Sequence, residues 1–367
     1  MSERGQNDAN PGGQRDEALR AAAVRLSRRQ GERAAAALRE LTDPYPLRLS
    51  DRQRLAIERI SHRLIEEIED ELRGAILADD ALPPNDSLEA SLGAGHVAIA
   101  APILEQAGLL PDARIVALAL ERSDMHEAGR RLREGGSPGQ RLSGLVGEGS
   151  DPQSSAAMAL LIAESRANLR FEDPRLPLGD VPADIRESLI WQVAAALRHY
   201  AVERHDAPAN EIDRSVSGAA DRLCADMREE SGLLEAAAAL AASLDAGDAE
   251  LLREALEAGR IALYCGLLGS AAEIDIANVW ALAGDPDGLG HALLLRAAGI
   301  DRDAGASLVM ALLGALGDDP AHPGGAPEWL GVWDSLDAAG AGQMLDHWRR
   351  APAYRDALTA IGRGGAS

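Results

Sequence analysis

The sequence predicts an all-α protein, built as an α-solenoid or a HEAT-like irregular helical array. Three observations lead there. Between His96 and Leu316, Ala/Leu-rich segments one helix long end repeatedly in short turns rich in Gly, Asp or Pro. No stretch alternates apolar and polar residues as a half-buried strand would. Hydrophobic residues make up 46% of the chain but aromatics only 3%, with Phe171 the single phenylalanine. Alanine and leucine must therefore fill the core, and small side chains let helices approach closely.

The elements follow in order. Residues 1–13 (MSERGQNDANPGG) have the composition of a disordered tail. Asp16–Leu41 reads as a helix with an apolar face from Leu19 to Leu41 and an arginine-rich face carrying Arg20, Arg28 and Arg39. Asp43-Pro44-Tyr45-Pro46 stops it. Ser50 opens the next helix, and Gln53 completes a capping box. Ile57, Ile60, Leu64, Ile68, Leu72 and Ile76 recur at spacings of three and four and form one apolar stripe. Glu66, Glu67, Glu69 and Asp70 fall largely outside it, and Glu69 and Arg73 are spaced for an i,i+4 pair, worth about 0.3 kcal/mol if exposed. These helices form an N-terminal hairpin over 14–82, which the prolines after Leu82 close.

A repeat body is expected over 86–317. Its helices are His96–Ala107, Pro111–Glu121, Ser123–Glu134, Ser137–Val146 and Pro152–Leu169. After a proline-bearing connector at 171–180 come Pro182–Arg204, Asn210–Met227, Leu233–Leu244, Ala249–Ala258, Ile261–Leu268, Ile274–Leu282, Pro286–Ala298 and Asp303–Leu316. Glycines after many of them fit left-handed C-terminal caps. A Trp-bearing C-terminal cap follows at 326–362.

Composition excludes several chemistries. All 37 basic residues are arginine, so there is no Schiff-base lysine, no phosphate-loop lysine and no lysine general base. The net charge of −22 argues against nucleic acid as a partner. That charge is uneven: residues 1–63 hold 13 Arg against 9 acids, and the remainder 24 Arg against 50 acids. Arg20, Arg28 and Arg39 are thus candidates for contact with an acidic partner or the acidic body, against the alternative of a solvated face. Cys224 and Cys265 lie far apart in apolar helical contexts and read as free buried thiols. The polar N-terminus lacks a signal-peptide core, and no run reaches the about 20 apolar residues of a membrane span. A bacterial cytoplasmic location is expected.

Each candidate motif meets a physical objection. Gly93-Ala94-Gly95-His96-Val97-Ala98 has the dinucleotide-loop spacing but no preceding strand, so it reads as a turn before a helix. Gly284-Asp285-Pro286-Asp287-Gly288 suggests a calcium loop, but Arg296 stands where the closing Glu is required. His199 and Glu203 share a helix face without a third ligand. No GxSxG elbow occurs. Neither metal nor cofactor is expected. Trp329 and Trp333 are i,i+4 neighbours with two readings: a cap over the helical stack, or a hot spot for a protein partner.

The segment from His96 to Asp112, with Val97-Ala98, Pro102-Ile103-Leu104 and Asp112, resembles a family of alphaproteobacterial proteins that carry a domain of unknown function and helices similar to HEAT repeats. The similarity spans about residues 60–316 and departs at the Ala-rich N-terminal helix and after Asp318. The resemblance implies a helical-repeat fold and no catalytic residues. The expected function is a non-catalytic interaction protein: a scaffold, adaptor or regulator that binds another protein. The alternative is an enzyme or small-molecule sensor with a pocket between helices, marked by a histidine converging with carboxylates.

Overall fold

A computed structural model describes residues 49–79, 82–95, 97–135, 152–167, 174–227, 232–285, 287–317, 326–351, 354, 355, 357 and 361. The expected tail at 1–13, the helix carrying Arg20, Arg28 and Arg39, and the expected helix 137–146 lie outside these residues. The described residues form fifteen α-helices and no strand.

The chain divides into two compact units, one holding residues 34–131 and 139–243, the other 1–33, 132–138 and 244–367. The division at 243–244 falls inside the expected 86–317 body, and the expected break at Pro83-Pro84 lies within one unit.

The first unit is organised on α1 (Asp51–Leu77). Its start is the expected capping box: Ser50 Oγ accepts from the Gln53 N–H at 3.2 Å, and Gln53 Oε1 accepts from the Ser50 N–H at 3.1 Å. All six residues of the apolar stripe are buried. They pack with residues of α2 (Asp86–Gly93), α3 (Ala100–Gln106), α4 (Ala113–Gly135), α6 (Ala183–His205) and α7 (Ala209–Asp226) in one core. A separate pair, α5 (Pro152–Ala167) and α8 (Leu233–Ala241), packs side by side, with the 3-10 turn Leu178–Asp180 against α8.

One expectation fails here. Ala113–Gly135 form one helix, α4, not two helices at Pro111–Glu121 and Ser123–Glu134. Ser123 is a helix interrupter only when its hydroxyl competes for the backbone, and Arg122 and Ser123 are instead buried against the unit. Residues 86–93, which none of the expected helices covers, form α2, because Asn85 caps it by accepting from the Leu88 N–H at 3.0 Å.

The second unit contains α9 (Ala249–Glu257), α10 (Ile261–Ala272), α11 (Ile276–Ala283), α12 (Leu289–Ala297), α13 (Arg302–Leu316), α14 (Ala326–Ser335) and α15 (Ala338–Leu345). Here the Gly/Asp cadence acquires a structural meaning. Gly259 and Gly299 adopt φ of 64° and 76°. They close α9 and α12 with paired bonds: Gly259 N–H to Leu256 O with Arg260 N–H to Ala255 O, and Gly299 N–H to Arg296 O with Ile300 N–H to Leu295 O. The aspartates then open helices. Asp248, Asp275, Asp301 and Asp337 each cap the next helix by accepting first-turn N–H bonds. One helix, α12, is packed on by α10, α11, α13, α14 and α15.

Candidate functional site

The two tryptophans singled out in the sequence lie inside the second unit. Trp329 and Trp333 are 1% and 3% exposed. Trp333 fits over Gly305 so closely that a methyl group there would stand 2.2 Å from the ring. The Arg296 guanidinium lies 5.7 Å from its centroid and donates through Nε to the Leu336 carbonyl at 2.9 Å. Trp348 is buried beneath Arg355, 4.7 Å from the ring centroid. These positions fill space between helices as a cap does. A partner contact through Trp329 and Trp333 requires the C-terminal helices to part.

Glu69 and Arg73 form the i,i+4 ion pair their spacing allows, and it is buried. The Glu69 carboxylate accepts from the Ile99 N–H at 2.9 Å and the Ala100 N–H at 2.8 Å, which caps α3 from another helix. Arg73 donates to the Ala94 carbonyl at 3.5 Å and the Val97 carbonyl at 2.5 Å. The glycine-containing turn 93–98 is therefore clamped as a helix connection. A signal was available: Ile65, Glu69 and Arg73 continue a flank of the apolar stripe at four-residue spacing, and Ile65 is 1% exposed.

A second clamp was not legible in the sequence. The Asp180 carboxylate pairs with Arg122 and accepts from the Leu233 N–H, which opens α8. The arginine, the carboxylate and the capped helix are far apart in the chain, so no local pattern announces them. Both clamps have their carboxylates occupied by the protein's own donors, which makes them structural devices.

Two histidines pair with hydroxyl groups, and on the surface His62 Nε2 lies 3.1 Å from Glu105 Oε1. Ser87 Oγ and His205 Nδ1 are 3.0 Å apart, and Asn85 Nδ2 donates to the His205 carbonyl at 3.1 Å. Together they latch the start of α2 to the end of α6. Nε2 of His205 is buried and unpartnered, so no carboxylate orients the ring as a base requires. In the second unit Tyr264 Oη and His291 Nε2 are 2.5 Å apart in an edge-to-face pair. Burial pushes His291 down to about 3 and raises Tyr264 well above its ordinary range. Both groups are neutral at pH 7.

His199 and Glu203 are exposed at the end of α6. Among the described residues no group of three or more His, Cys, Asp or Glu is placed to hold a metal ion, and no helix is long and apolar enough to cross a membrane.

Two helices, one in each unit, present uncharged faces to solvent. On α5, Met158 and Ile162 are 45% and 49% exposed, one turn apart, while Ala157, Leu160, Ala163 and Ala167 are buried behind them. No charged residue occurs from Pro152 to Ala163. On α13, Ser307, Met310, Ala311 and Gly314 are exposed, and residues 304–317 carry no charge.

A family model described as an uncharacterised protein conserved in bacteria (DUF2336) matches residues 153–346. The match runs from α5 to α15 and includes the uncharged faces, Asp180, Tyr264, His291, Trp329 and Trp333. The segment 96–112 that carried the sequence resemblance lies outside it, and the match continues past Asp318, where the resemblance was expected to end. No curated protein and no solved structure matches the chain.

Proposed function

We propose, from the premise that the chain belongs to the bacterial DUF2336 family, that it is a non-catalytic interaction protein. It acts as a scaffold, adaptor or regulator that presents helix faces to a protein partner. The observation that carries this reading is the α5 face: Met158 and Ile162 stand exposed on an uncharged helix side in a chain of net charge −22. Solvent-facing positions in so acidic a protein are ordinarily charged, and adjacent exposed apolar side chains favour contact with another surface. The face belongs to the stretch that defines the family.

The consecutive packing of α9 on α10, α10 on α11 and α11 on α12 supports HEAT-like stacking as part of this proposal. The acidic body disfavours nucleic acid as the partner, and the proposed site of action is the cytoplasm.

The test is site-specific photo-crosslinking from position 158 in cells, followed by the double substitution Met158→Glu, Ile162→Glu. The variant should keep its helix content and melting temperature and lose the crosslinked protein. A crosslinked partner that the charged variant binds equally well, or no crosslinked protein at all, overturns the reading.

A further inference from the structure

The second unit contains a buried titratable group on which no described charge acts. His291 sits in the first turn of α12, 1% exposed, on the helix against which five others pack. Nε2 faces the Tyr264 hydroxyl, and Nδ1 is buried without a partner. A neutral ring tolerates this arrangement at the cost of one unmade bond, whereas an imidazolium carries two donors and a charge.

Among the described residues, no charged neighbour acts on the ring. From α10 come Tyr264, neutral, and the adjacent Cys265. The sequences of α11 and α15 contain no titratable residue. Arg302 of α13 and Asp334 of α14 bind one another at 2.7 Å on the surface, and Asp303 of α13 is exposed. The remaining acid of α14, Glu328, lies outside the described side chains. On α12 itself Arg296 is engaged with Trp333 and Leu336. Asp285, in the turn before α12, is buried; burial alone sets the His291 shift, with no charged neighbour contributing.

At Gly290, the residue before His291, a methyl group would stand 2.3 Å from the Leu282 carbonyl oxygen, so α11 and α12 are in near backbone contact there.

We propose that His291 makes this unit acid-responsive: its protonation parts α12 from α10 and α11 and uncovers Trp329 and Trp333. The sign follows from linkage. The unfolded chain takes up a proton at an ordinary histidine pKa of 6.5, while the folded unit resists it down to about 3. Stability is therefore full above about pH 6.5 and falls as pH drops from there toward 3. This inference is independent of the α5 partner surface.

Four of the five tryptophans (Trp280, Trp329, Trp333 and Trp348) lie in this unit, so fluorescence reports its opening. Urea unfolding of the full chain is followed from about pH 7.5 to about pH 5 in the wild type and in His291→Gln. The wild-type midpoint should fall with pH, and the fall in the variant should be at most about half as large. Parallel falls overturn the proposal. Should His291→Gln fail to fold, proton NMR of the wild-type histidines decides instead. A His291 ring, identified by its contact with Tyr264, that stays neutral until the unit opens supports the lock, and one that titrates with an ordinary pKa in the folded state overturns it.

Discussion

At the residue scale, placement inside a helix decides what a charged side chain does. Glu121, partly buried on α4, illustrates this: burial pushes its carboxyl from 4.5 up to about 7, against the pull of Arg122 and with the help of Asp124. The folded state holds a proton that the unfolded chain releases. Stability from this group is thus present below about pH 4.5 and is lost as pH rises to about 7. Chemical denaturation should show Glu121→Gln flattening the loss of stability between those values, an opposite pH trend to that of His291. A variant with the wild-type slope would show that Glu121 is ionised in the fold. Neither pKa was readable from the sequence. A Glu beside an Arg on an Ala/Leu helix looks solvated, and the reading changes only once neighbouring helices remove its water.

At the element scale, helix starts and stops were largely legible, since caps are local chemistry. Ser50 with Gln53, the αL glycines and the aspartate caps mark boundaries within a few residues. Where the cap comes from another element, local pattern has nothing to say. The Glu69–Arg73 clamp on α3 is such a case, and so is Asp180 on α8. Glu69→Ala should cost about 3–5 kcal/mol, because it strands a buried guanidinium and two N–H groups at once. Replacing both partners, Glu69→Met with Arg73→Met, should cost less than the single alanine change, because no charge is left unpaired. Thermal melts of the three proteins check the order; a single substitution milder than the double one would show that the pair is solvated.

At the scale of the whole molecule, the C-terminal helices belong to the core of their unit. α14 and α15 both pack on α12 and bury Trp329 and Trp333. Ending the chain at Gly317 removes these contacts, and each large apolar side chain lost contributes about 1.5–3 kcal/mol. The truncated protein should bind a hydrophobic dye strongly and lose cooperative unfolding of residues 244–317, while the other unit keeps its transition. A truncated chain that melts like the full one would remove the cap from the fold. The sequence by itself determined the helical class, the cadence of caps and turns, the apolar stripe of α1 and the chemistries closed by the missing lysine. These follow from periodicity, backbone capping and composition, which act within a few residues. The tertiary structure alone decided that Glu69 and Asp180 cap distant helices, that His291 is buried and neutral, that Trp329 and Trp333 are inside and that Met158 and Ile162 are outside. Each of those depends on which helix faces which, and a helical pattern rich in alanine on every side leaves that choice to packing.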